Sequence, residues 1–231
     1  MCTMQSKKLI IGNKYRPLLE AFLTDFEIIW LPDNPFLDKR LSGHADLSVF
    51  NIKNNVIFVS DYYSDIEFGK ETRYLSTNQG PEYPNDVKFN ICQVGNTFIL
   101  NETYVAENIV QYLQKAGEYS LINVKQGYAR CSALAINNSI ITSDASIYKA
   151  CINNNINVLK ISQGFFNLEG FDYGFIGGTA FQIDNNLYFT GSIEKHPDYQ
   201  RIYDFCTNEN VNISYLTDLK AFDIGGIILI D

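Results

Sequence analysis

His44 and Asp46 stand one residue apart in Ser42-Gly43-His44-Ala45-Asp46. A histidine oriented by a nearby carboxylate can carry a proton as general acid or base near neutral pH; the same histidine in a loop can equally do no more than bond backbone. Arg130-Cys131-Ser132 offers a second kind of chemistry. A thiol beside a cation loses its proton more readily and becomes a nucleophile, whereas a free cysteine enclosed by apolar neighbours is a small hydrophobe. Arg130 could itself bind the carboxylate or phosphate of a ligand. Asp46, Asp86 and Asp223 lie near the starts of three β-prone runs. Acids converging from separate segments would hold a cationic or guanidinium ligand; singly, each reads as a turn or cap residue. Gly177-Gly178 and Gly225-Gly226 mark places where backbone passes close to a neighbour or a ligand, and neither leads into the Lys-Ser/Thr of a phosphate loop. His196-Pro197-Asp198 reads as a helix start, and Asp61 and Asp144 read as helix caps.

The elements that must position these residues repeat. Residues 46–61 hold two short β-prone runs about Asn54-Asn55, the pattern of a hairpin. The design returns at residues 86–102 about Gly95-Asn96, at 130–144 about Asn137-Asn138 and at 177–191 about Asn185-Asn186. Superposing the turns sets Cys131 level with Ser48 and Thr179. Each hairpin is followed by a segment of helical periodicity and a further β-branched run: 105–115 then 119–124, 145–155 then 156–161, and 198–210 then 211–216. The first unit has only a weak helix, at 64–70. A fifth unit is split between the chain ends, with strands expected at 221–224 and 227–230 and, at the other end, strand 8–11, helix 15–24 and strand 26–31. The expected class is therefore α+β: a pseudo-symmetric five-bladed propeller of β-β-α-β units, residues 1–231 forming one domain, closed by both termini so that no sheet edge is left exposed. The aromatic cluster Phe165, Phe166, Phe171, Tyr173 and Phe175 would be a lid over the centre or packing between blades.

Five such units in a ring resemble the pentein fold of the guanidino-group-modifying enzymes (arginine deiminases, dimethylarginine hydrolases, amidinotransferases), which translation initiation factor 6 shares without catalysis. Gln126-Gly-Tyr-Ala-Arg-Cys-Ser132, Ile141-Thr-Ser-Asp144, Ile176-Gly-Gly178, His196-Pro-Asp198 and Asp223-Ile-Gly-Gly226 are similar to a clostridial branch of that superfamily, a likeness that brings no mechanism with it. The superfamily implies a Cys nucleophile, a His acid/base and carboxylates that grip a guanidinium. His44-Ala45-Asp46 resembles its His-x-Asp element, and Ile176-Gly177-Gly178-Thr179 resembles its Glu-Gly-Gly-Asp element with both acids replaced. The nucleophile's usual place near the carboxyl end reads Asp223-Ile224-Gly225-Gly226-Ile227, without cysteine. A thiouronium intermediate would then have to form elsewhere, and Cys131 with His44 as proton carrier are the catalytic candidates. Asp46, Asp86, Arg130, Gly177, Gly178, Thr179 and Asp223 are the candidate ligand-binding positions. Two functions follow: a Cys-dependent hydrolase or transferase acting on a guanidino, amidino or other small nitrogen-containing metabolite at the ring centre, or a non-catalytic ligand-binding or protein-interaction module.

Bulk properties narrow the partners. The chain has 231 residues, 46% of them hydrophobic, enough to bury a core without disulfide or metal staples. A formal charge of −8 argues against nucleic acid, whose partners carry basic stripes. Cys2, Cys92, Cys131, Cys151 and Cys206 form an odd set with no zinc-site spacing, and read as free thiols of a reducing, cytoplasmic compartment. Residues 1–8 are short and polar and the apolar run 9–11 is broken at once, so no signal peptide is expected. No stretch approaches the roughly 18 to 20 apolar residues of a membrane span, and a soluble protein is expected. No metal and no cofactor are expected, and nothing in the residues fixes the oligomeric state.

Overall fold

The computed structural model describes residues 7–53 and 56–230; Cys2 and the Asn54-Asn55 turn lie outside the described residues. The chain opens with β1 (Lys8–Gly12), α1 (Arg16–Leu19) and β2 (Glu27–Leu31). The first unit is β3 (Val49–Asn51), β4 (Ile57–Ser60) and β5 (Thr72–Leu75). The second is β6 (Cys92–Val94), β7 (Thr97–Leu100), α2 (Glu107–Ala116) and β8 (Ser120–Asn123). A single turn, α3 (Ala129–Ser132), leads into the third: β9 (Ala133–Ile136), β10 (Ser139–Thr142), α4 (Ala145–Asn153) and β11 (Asn157–Lys160). The fourth is β12 (Ala180–Ile183), β13 (Asn186–Phe189), α5 (Tyr199–Asn208) and β14 (Asn212–Tyr215), and β15 (Ile228–Ile230) follows.

Five three-stranded sheets result, each with the hairpin antiparallel and the third strand parallel to the hairpin's second. β1 plays that second-strand part in the fifth sheet, antiparallel to β15 and parallel to β2, so the two ends of the chain build one blade. The apolar residues fall into a cluster at each junction. Phe50, Phe58 and Phe98 join the first unit to the second, and Cys92, Ile99 and Ile140 join the second to the third. Leu134, Leu187 and Ile202 join the third to the fourth, Phe181 and Leu9 the fourth to the fifth, and Ile10, Val49 and Ile228 the fifth back to the first. That last cluster closes the ring.

Several expectations are corrected. Between its second and third strands the first unit has no α-helix but a single 3-10 turn, Asp61–Tyr63, whose N-cap is Ser60 and not Asp61, with no side-chain cap hydrogen bond. The helix at 15–24 breaks into α1 flanked by 3-10 turns, burying only Tyr15, Leu19 and Leu23. At the carboxyl end one strand forms rather than two, because 221–224 serve as a connection whose Phe222 makes only an isolated bridge to Asn167. The register slips by one: Ile183 pairs with Asn186, so the fourth hairpin turns at Asp184-Asn185 and not at Asn185-Asn186. Asp184 takes the positive φ of 50° there, as Asn137 does in the third hairpin. Ser132, not Cys131, is therefore level with Thr179, since each directly precedes its first strand. A shift of one residue turns a strand's side chains to the other face of its sheet.

Asp144 does cap α4, accepting from Ser146 N at 2.8 Å and Ile147 N at 2.9 Å. His196 and Asp198 are also structural: His196 Nδ1 accepts from Asp198 N at 3.0 Å and Asp198 Oδ2 from Ser162 N at 2.7 Å, ahead of α5. Among the described residues no helix is long and apolar enough to cross a membrane.

Ile10 is fully buried in the closing cluster. Ile10→Ala should lower the unfolding free energy by about 2 to 5 kcal/mol, read from urea titration; a loss near zero would mean that the fifth blade does not fold with the rest.

Candidate functional site

At one end of the ring a cavity of about 280 Å³ opens. His44, Cys131 and Asp223 form its floor, and Tyr128, Phe171, Tyr173 and Phe175 supply aromatic walls. The floor residues come from three units, each from the segment that leads the chain into the first strand of its blade. His44 starts a 3-10 turn, Ala45–Leu47; Cys131 lies in α3; and Asp223 precedes β15.

Under the floor is a buried polar knot. Cys131 Sγ donates to Asp46 Oδ2 at 3.0 Å and accepts from Asn90 Nδ2 at 3.1 Å. Asn90 Oδ1 accepts from the backbone N–H groups of Arg130, at 2.8 Å, and Cys131, at 3.3 Å, which fixes α3 against the second unit. Asp223 is held by Phe175 N at 2.8 Å and Gly225 N at 2.9 Å. His44 Nδ1 lies 4.0 Å from Asp223 Oδ1, while His44 Nε2 and Asp46 Oδ1 are buried without hydrogen-bond partners.

Burial governs the ionisation of all four. It pushes His44 down to about 3, aided by the Lys14 charge, so the imidazole is neutral and its contact with Asp223 is not an ion pair. Burial lifts Asp46 to about 6 against the opposing pull of Arg130 and the Cys131 and Asn90 hydrogen bonds. Asp223 rises to about 7, again mainly by burial, with its backbone hydrogen bonds opposing and the Asp46 charge adding. The Cys131 thiol is raised well above its ordinary value by burial and by the charges of Asp46 and Asp223. In the free protein it is a thiol.

The other predicted positions separate. Asp86 does not line the cavity; it accepts a hydrogen bond from the Tyr128 hydroxyl and so positions a wall residue. Arg130 and Gly177 line a different cavity, towards the opposite end of the ring. Gly178 packs against Asp223, where a Cβ would come within 1.8 Å of Oδ1. Thr179 is fully buried, donates to Ile176 O at 2.7 Å and lines neither this cavity nor the opposite one. The aromatic cluster splits: Phe171, Tyr173 and Phe175 line the cavity, whereas Phe165 and Phe166 pack against His196. Among the described residues no group of three or more His, Cys, Asp or Glu could hold a metal ion.

The model of a family of unknown function, DUF6873, matches residues 10–228. The chain belongs to the DUF6873 family. No curated protein matches its sequence. In three dimensions this DUF6873 protein is similar to DDAH from Pseudomonas aeruginosa, solved as a cysteine-to-serine mutant with citrulline: the TM-score is 0.57 at 12% identity, over 98% of this chain and 100% of that one. It is also similar to a dimethylarginine dimethylaminohydrolase carrying a 4-chloro-2-hydroxymethylpyridine adduct (TM-score 0.56, 13% identity, 91% and 92% of the two chains). Agmatine deiminase of C. jejuni gives a TM-score of 0.53 at 10% identity, over 92% and 88%. The fold is the pentein fold.

Two members of the DUF6873 site escape a reading of the sequence. Asn90 lies in Phe89-Asn90-Ile91, just outside the second hairpin's strands; its position two residues before a first strand, like that of Leu47, Cys131 and Gly178, was the available signal. Tyr128 is one of fifteen tyrosines and only its stacking on Tyr83 and Phe175 sets it apart.

The raised carboxyls of the DUF6873 protein have a consequence for stability. Between about pH 4 and 7 the folded chain holds protons at Asp46 and Asp223 that the unfolded chain has released, so their contribution to stability falls as pH rises through that window. Asp46→Asn removes one such group. The drop in unfolding free energy between about pH 5 and 8 should be smaller in the variant by about 1 to 3 kcal/mol, measured by urea titration at each pH. An identical drop would show that Asp46 ionises without cost.

Proposed function

We propose that the front cavity binds a small planar organic cation of the amidinium or guanidinium class, and that the free protein is poised for binding and not for thiolate attack. The observation that carries this reading is the pair of buried carboxylates, Asp46 and Asp223, gathered with a thiol around one floor in which the imidazole is neutral. Buried anions without a matching charge are costly, and a cation seated between aromatic faces offsets that cost. Similarity in fold to enzymes named for dimethylarginine and agmatine, both guanidino compounds, supports the same class.

The sign of the pH dependence follows. A cation gains from ionised Asp223 and Asp46, and both take up protons as pH falls through about 7 and about 6. Agmatine and acetamidine should bind more tightly at about pH 8 than at about pH 5.5, releasing protons on binding at the lower pH, and Asp223→Asn should weaken binding by about tenfold or more. Calorimetry in buffers of different ionisation enthalpy tests both points. Binding that is indifferent to pH and to Asp223 would remove the proposal.

A second reading, catalysis by Cys131, has one observation in its favour: Asp46 Oδ2 already accepts the thiol's hydrogen bond at 3.0 Å and could take the proton as sulfur attacks the amidinium carbon. The two readings differ in reactivity. If the site only binds, iodoacetamide should label Cys131 near neutral pH no faster than the buried Cys206, and no amine should leave a bound amidine. Fast labelling that depends on His44, with amine release lost in Cys131→Ser, would establish catalysis instead.

A further inference from the structure

The end of the ring opposite the cationic-ligand cavity has its own polar recess, about 100 Å³ in volume. The first strands of all five blades line it, β3, β6, β9 and β12 with the run into β15. Its charge is unusual for this protein. The chain carries 26 acidic residues against 18 basic ones, yet among the described residues the only charged ones lining the recess are Lys53 and Arg130.

Arg130 is the notable member. A guanidinium has five N–H donors, and among the described residues one hydrogen bond is made, from Nη2 to Ile227 O at 3.2 Å. Nε is buried with no hydrogen-bond partner. Among the described residues Arg130 takes part in no ion pair within 4.0 Å. The polar side chains around it are otherwise engaged: Asn51 donates to Leu229 O at 2.6 Å, Gln93 to Gly95 O at 3.0 Å and Gln182 to Asn137 Oδ1 at 2.8 Å. A partly buried guanidinium with one of its donors satisfied and its polar neighbours committed has no counter-charge in contact, Asp46 acting on it only from beyond ion-pair distance, and a planar or tetrahedral oxyanion would supply one.

We propose that this recess is a small-oxyanion site, in which Arg130 binds a carboxylate or phosphate-type group with Lys53 at the rim. It is distinct from the front cavity, shares no lining residue with it, and stands whether or not that cavity takes a cation.

The test uses inorganic phosphate and acetate on the full chain at constant ionic strength, adjusted with a bulky inert salt. Saturable binding by calorimetry, with a matching rise in melting temperature, is expected for the wild type, and phosphate exceeding acetate would point to a tetrahedral rather than a planar group. Arg130→Gln should lose at least about tenfold in affinity; because it also gives up the hydrogen bond to Ile227 O and the attraction of Asp46, its own anion-free melting temperature is the baseline from which its response to anion is read, and that response should be absent. Lys53→Ala, a surface change, should weaken binding several-fold and leave folding intact. A wild type that shows no saturable response to either anion would overturn the proposal, and so would binding that both variants retain in full.

Discussion

β15 lies on β1 at the edge away from β2, and this pairing of the chain's two ends holds much more than a sheet. The run into β15 crosses the ring axis on the way to its strand. Gly225 O there accepts from Asp46 N at 3.1 Å, and Gly178 O accepts from Ile224 N at 2.9 Å and Gly226 N at 3.2 Å. The first, fourth and fifth units are thus tied by backbone at the centre, and Asp223 and Asp46 are carried in on the same connections. Gly225 must be glycine for two reasons: its φ is +71°, and a Cβ would fall 2.3 Å from His44 Cβ. Without closure there would be neither a blade for Leu9 and Ile10 to bury against nor a floor for the cavity.

That arrangement concentrates polar groups where the ring has least water. Each group then adopts the protonation state that burial favours unless a hydrogen bond resists it. Asp223 has two backbone donors and still rises to about 7. Asp46 has a thiol donor and the Arg130 charge and still rises to about 6. The floor is therefore soft in charge: near neutral pH a modest favourable interaction with a cation suffices to ionise it fully, because the energy separating the two protonation states is small.

The repeat was legible because hairpin turns, helical stripes and β-branched runs recur with local chemistry that a sequence carries openly. Helix existence was readable wherever an amphipathic stripe and a cap coincided, as with Asp144 ahead of Ile147 and Cys151. The first unit's helix and the paired strands at the carboxyl end were not, because connections that cross the axis are shaped by neighbouring blades. Register failed by one residue in Asp184-Asn185-Asn186, where Asp and Asn compete equally for the left-handed turn position. Of the site, His44, Asp46, Cys131 and Asp223 were within reach, since each has a side chain that can do chemistry and lies in the run that leads into a first strand. Asn90 and Tyr128 were not, because their roles depend on contacts made across blades.

Arg130 and Cys131 show how far neighbours in sequence can part in space. As a dipeptide they describe an activated thiol. In the single turn of α3, Asn90 pins both of their N–H groups, and the side chains are sent to opposite ends of the ring: the thiol to the acids, the guanidinium to a recess without acids. The cysteine thereby loses the cation that would have favoured its thiolate and gains two carboxylates that oppose it. The axis as a whole becomes polar, acidic at one mouth and basic at the other, and one helical turn held by one buried asparagine sets that polarity.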